Sequence, residues 1–216
     1  MKRLAQALLW VLALWAMPAM AQVPCIGVGS VNNVPQVGIV CKQEPGVNSY
    51  AATGIAVVPP SAATDLSCIT GGLNVVARIQ QVRVSGTAGT LINVPTTITK
   101  HATANTGGTP ATGTALPVPY RLDSTDSAPV ATTTAWTANP TITDAAPGLI
   151  DTGILVLTAT GTLAGNAGLN FDWSERQFIE APTLRGVAQQ LCINLNATSI
   201  SSGVVNVVWR WTEAPQ

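Results

Sequence analysis

Apolar and polar residues alternate most regularly at the end of the chain, over residues 186–213. Leu191, Ile193 and Leu195 interleave with Cys192, Asn194 and Asn196, and Val205, Val207, Trp209 and Trp211 interleave with Asn206, Val208 and Arg210. A period of two marks half-buried strands, and two such runs separated by the turn-forming stretch 196–203 predict a closing β-hairpin. A lone hairpin cannot bury its own apolar face, so earlier strands must complete the core. The pattern supplies them at 66–70, 75–85, 91–100, 149–158 and 169–173, with a shorter run at 177–180. Gly86 to Gly89 reads as a turn, and Pro95 predicts an edge position or a bulge. Residues 101–139 are rich in Thr, Ala, Gly and Pro and read as long loops flanking short strands at 118–121 and 130–136.

Residues 22–60 differ from this. Their short apolar runs are broken by Gly and Pro, as in Val34-Pro35-Gln36-Val37, and predict an N-terminal arm or small β subdomain with edge-type strands, bounded by Pro59-Pro60. No helical period follows the first 21 residues, turn signals recur about every ten residues, and there is no internal repeat. The expected architecture is therefore all-β: one antiparallel β-sandwich of jelly-roll type over residues 61–216, preceded by the 22–60 arm.

Composition adds three constraints. The chain has 216 residues, and only 9% are charged, against roughly a quarter in an ordinary domain. A surface covered by Thr, Ser, Asn and Ala carries little charge repulsion, which suits packing against copies of itself or a larger assembly. No basic cluster exists to bind nucleic acid. Residues 1–21 have the form of a secretory signal peptide: Lys2 and Arg3, then an apolar run, then Ala19-Met20-Ala21 at a cleavage-like site. The run is shorter than the roughly 20 residues a membrane span requires, so no stable span is expected after cleavage. The expected location is the periplasm, cell surface or extracellular space. Four cysteines in such a chain predict two disulfides; Cys25 with Cys41 and Cys68 with Cys192 is the preferred pairing of three. A zinc site is not expected, because there is no CxxC and His101 is the sole histidine.

Candidate chemistry is sparse, and neither a catalytic set nor a cofactor or metal site is predicted. His101 reads as a solvated side chain at a strand end, without a defined carboxylate or serine partner. Asp123 and Asp126 offer oxygen ligands for calcium, but aspartates in a Ser- and Thr-rich turn more simply form the turn. Asp172, Glu175 and Glu180 are the carboxylates a glycosidase reading would need. Trp209 and Trp211 share one strand face, as core, subunit interface or sugar-stacking platform, and Trp136 is a candidate exposed aromatic for the last of these. Asn196-Ala197-Thr198 fits the glycosylation triplet.

Six segments carry a resemblance: Thr64-Asp65-Leu66-Ser67-Cys68-Ile69-Thr70-Gly71, Ile79 to Gly86 with its Arg83-Val84-Ser85-Gly86, Lys100-His101-Ala102-Thr103-Ala104-Asn105-Thr106-Gly107-Gly108-Thr109, Trp136-Thr137-Ala138-Asn139-Pro140-Thr141, Leu184-Arg185-Gly186-Val187-Ala188-Gln189 and Trp211-Thr212-Glu213. In this order, over residues 60–216, the chain resembles a group of poorly characterised β-rich proteins of tailed phages and prophages. The resemblance implies a virion-surface or head-associated structural role and no enzymatic one. The leader and four cysteines depart from that pattern and open an exported use. The functional expectation is a non-enzymatic, self-associating structural or interaction protein; the alternative is an exported carbohydrate-binding or adhesive module of a bacterial cell surface.

Overall fold

The computed structural model describes residues 28–31, 34–37, 47–159, 168–174 and 180–216. The expected leader at 1–21, Cys25, Cys41, Glu175 and most of the 177–180 run lie outside the described residues. Two compact units divide the chain at Val47. In the first, β1 (Val28–Val31) and β2 (Val34–Val37) form an antiparallel pair, with Val28 opposite Val37.

The second unit is nearly all strand. In chain order it contains β3 (Asn48–Val57), β4 (Ala63–Thr70), β5 (Val75–Ala88), β6 (Ile92–His101), β7 (Thr109–Pro110), β8 (Val118–Arg121), β9 (Thr132–Ala138), β10 (Gly148–Ala159), β11 (Leu169–Asp172), β12 (Thr183–Arg185), β13 (Gln190–Thr198) and β14 (Val204–Pro215). A single 3-10 turn at Gly113–Ala115 is the one helical element among the described residues. The strands form one curled mixed sheet in the order β7-β9-β4-β13-β6-β10-β5-β14-β3-β8, with β11 and β12 also on β5. Pairing is antiparallel except where the end of β10 runs parallel to β5, Thr158 opposite Thr87.

Three expectations change. The closing strands do not form a hairpin with each other: β13 lies between β4 and β6, and β14 between β5 and β3. Both apolar rows are still buried, because Leu191, Ile193 and Leu195 enter the same core as Val205, Val207, Trp209 and Trp211 from different parts of the sheet. Alternation reports which face is buried, not which strand is the neighbour. The connection takes positive φ at Asn196, Ala197 and Ser202, which carries the chain from one part of the sheet to the other. Second, β3 belongs to this unit rather than to an arm ending at Pro60. It lies inside the sheet, between β14 and β8, and buries Tyr50, Ala52 and Val57. Third, β5 does not turn at Gly86 but continues to Ala88, since the bare glycine allows close approach of β14; a Cβ at Gly86 would collide with the Val204 carbonyl.

The mixed alternation of residues 75–85 has a local cause. Ile79 pairs with Trp211 and Gln81 with Arg210, so Gln80 is an extra residue that shifts the phase of burial from Ile79 to Val82. Its carbonyl accepts a bond from Trp173 N at 2.9 Å. Pro95 sits in a strand with neighbours on both sides, yet β13 pairs β6 only over residues 97–101, so the missing N–H interrupts no ladder there.

Candidate functional site

Beside the core, polar residues collect on the opposite face of β4, β13 and β6. Thr70 and His101 flank Gln190, Cys68 and Thr99 flank Cys192, and Asp65 and Thr97 flank Asn194. The centre of this array is the disulfide. Cys68 and Cys192 are directly opposed with Cα atoms 4.1 Å apart, and their sulfurs lie at bonding distance. The expected second pairing, Cys25 with Cys41, lies outside the described residues. Trp136 covers the bridge and forms a small buried cluster with it.

Around the bridge, Asp65 accepts hydrogen bonds from Asn105 Nδ2 at 2.6 Å and Asn194 Nδ2 at 2.7 Å, and its Oδ2 lies 3.1 Å from His101 Nε2. Thr99 Oγ1 is 3.2 Å from the same ring nitrogen. Gln190 ties the array to the covering segment: its Oε1 accepts from Asn105 N at 2.8 Å and its Nε2 donates to Thr70 Oγ1 at 2.8 Å. Asp65 and His101 are fully buried. His101 is thus not the solvated side chain the sequence suggests, because the segment after it folds back across the sheet and closes over it. A single buried carboxylate taking two amide donors and an imidazole meets the requirement that buried charge be paired and hydrogen-bonded. His101 Nδ1 and Asn105 Oδ1 remain buried without a hydrogen-bond partner.

As a donor set, Asp65, Cys68 and Cys192 place ligand atoms within 4.8 Å of one another. The two sulfurs are joined to each other, and a metal requires thiolates, so the set as it stands does not fit a metal. Asp144 anchors the covering segment by accepting from Ala102 N at 2.6 Å and Ala146 N at 3.1 Å. These backbone hydrogen bonds, Ala102 first, hold its carboxyl below the ordinary value.

The other candidates are distributed differently. Trp209 and Trp211 are core residues, not a sugar platform: Trp209 Nε1 donates to Ser67 Oγ at 3.1 Å, and Trp211 Nε1 donates to Glu213 Oε1 at 2.9 Å. Glu213 also accepts from Val130 N and Ala131 N, which accounts for a buried carboxylate the sequence does not single out. Trp136 is 4% exposed, so it too is unavailable for stacking. Asp123 forms its own turn by accepting from Thr125 N and Oγ1, which lowers its pKa, and Asp126 accepts from Ser49 N at 2.8 Å. Asp172 is engaged with Gln81 and Ser174, and Glu180 is exposed. The Asn196 amide donates to the Pro95 carbonyl at 3.0 Å while its side chain stays exposed.

Two surface features were not legible in the sequence. One is a groove of about 420 Å³ beside Arg83 and Arg210. The other is the flank of β10 away from β6, with which no described strand pairs before Thr158, although Leu169 of β11 lies against Gly153. Leu149, Ile150 and Ile154 of that strand are exposed. No family model, curated protein or solved structure matches the chain.

Proposed function

We propose that the protein is a non-enzymatic structural component that assembles with copies of itself by strand addition along β10. The carrying observation is the contrast between its sheet edges. β7 is two residues long and ends in Pro110, and β8 contains Pro119; both are forms that discourage further pairing. By contrast, β10 offers residues 148–157 with one charged side chain, Asp151, no proline, and exposed Leu149, Ile150 and Ile154. Among the described residues this flank has no strand partner, and an apolar edge of this length is a template for another strand. The charge-poor composition leaves little repulsion to oppose it.

The architecture we propose for each copy is a jelly-roll-like β-sandwich. Support comes from the hydrogen bond of Trp209 on β14 to Ser67 on β4, which links strands far apart in the sheet order across the core. The tailed-phage resemblance gives the assembly its specific setting, a virion-surface or head-associated protein. Light scattering on the purified chain and on an Ile154→Lys variant tests the reading. The parent is expected as an oligomer, and the variant as a monomer with unchanged near-UV circular dichroism. A parent that stays monomeric at all concentrations contradicts the proposal. The exported glycan-binding alternative is favoured by the arginine groove.

A further inference from the structure

The face of β8, β3, β14, β5 and β11 that points away from the core carries side chains in rows that cross the strands. One row runs Tyr120, Ala51, Arg210, Gln81, and the next runs Val118, Thr53, Val208, Arg83, Asn170. Their chain neighbours Trp209, Val82 and Ala52 point into the core, which fixes the direction of both rows. Arg210 and Arg83 are therefore diagonal neighbours on adjacent strands, at a spacing of about 7–8 Å.

Both guanidinium groups are exposed, and among the described residues neither forms an ion pair or hydrogen bond. The row's carboxylate, Asp172, is engaged with Gln81 Nε2, Ser174 N and Ser174 Oγ. Two like charges are thus held side by side in a chain with only 10 basic residues. They border the groove of about 420 Å³, together with Gln81, Ser85, Leu169 and Asn170. That volume lies in the range of small-ligand sites. Paired guanidinium forks match carboxylates, and the neutral amides and hydroxyl match sugar hydroxyls. Tyr120, 49% exposed, supplies an aromatic face two strands away along the Arg210 row.

We propose that this face binds an acidic saccharide of the uronic-acid class. Arg83 and Arg210 hold its carboxylates, Gln81, Ser85 and Asn170 bond its hydroxyls, and Tyr120 stacks on a neighbouring ring. The proposal does not rest on assembly through β10, although Leu169 of the groove lies against Gly153 of that strand.

Calorimetric titration of the full chain with trigalacturonate, its methyl ester and inorganic sulfate tests it. Binding of trigalacturonate is expected, with affinity falling about tenfold or more in Arg83→Gln and in Arg210→Gln, and severalfold in Tyr120→Ala. The neutral methyl ester is expected to bind at least tenfold more weakly than the acid. These positions are exposed, and unchanged melting temperatures would show the variants folded. The proposal is overturned if trigalacturonate does not bind at millimolar concentration, if ester and acid bind alike, or if the arginine variants bind as the parent does. Sulfate binding as tightly as trigalacturonate overturns the saccharide assignment in favour of a generic oxyanion site.

Discussion

At Asp65 two amide donors and an imidazole converge on one buried carboxylate. Removing it takes a partner from all three and leaves Asn194 Nδ2 with none among the described residues, while His101 Nε2 keeps Thr99 Oγ1 at 3.2 Å. Asp65→Ala is expected to destabilise the fold by about 3–5 kcal/mol, the range for losing one partner of a buried charged contact, and urea unfolding monitored by tryptophan fluorescence measures this. None of this was legible from His101 alone, because its partner comes from β4 and its burial comes from the segment that follows it. Asp144 makes a pH-dependent counterpart at the surface. Its folded pKa lies below the ordinary 3.8, so the anchoring at Ala102 is fully present above that value and is lost as pH falls through the lower folded value. The NMR shift of the Ala102 amide should therefore follow a titration with its midpoint below 3.8, and Asp144→Asn should abolish that titration. A midpoint at or above 3.8 would contradict the anchoring.

Individual strands were more legible than their partners. The alternation of Leu191 to Leu195 and of Val205 to Trp211 located β13 and β14, because period two is a property of each strand by itself. Their neighbours are set by sequence-distant contacts, and so the expected hairpin is replaced by β13 against β4 and β14 against β5. The disulfide is the exception: the even cysteine count suggested pairing, and Cys68 and Cys192, 124 residues apart, were readable as partners because they fall in two strand-like runs. Replacing both by Ala is expected to cost roughly 2–4 kcal/mol by freeing a long loop in the unfolded chain. Differential scanning calorimetry of the double variant measures it, and an unchanged melting temperature would refute a stabilising role. Ser67→Ala probes the link between β4 and β14 separately. It leaves the buried Trp209 indole N–H without its acceptor, for an expected cost of about 1–3 kcal/mol by the same calorimetry.

For the whole molecule, the sparse charge already implied a surface suited to assembly, but composition has no direction and cannot say which surface. The strand order gives the assembly we propose a direction. Prolines mark β7 and β8, whereas among the described residues no strand pairs with the 148–157 flank of β10, where Leu149 and Ile154 are exposed. The arginine rows needed the register as well, since Arg83 and Arg210 are far apart in sequence and become neighbours only through the pairing of β5 with β14. The measurement that bears most directly on self-assembly is hydrogen–deuterium exchange of the peptide covering 148–157, followed from micromolar to submicromolar protein. Strand addition predicts slow exchange there at high concentration and faster exchange on dilution, with peptides from β13 unchanged. Exchange in 148–157 that does not depend on concentration would contradict assembly through β10.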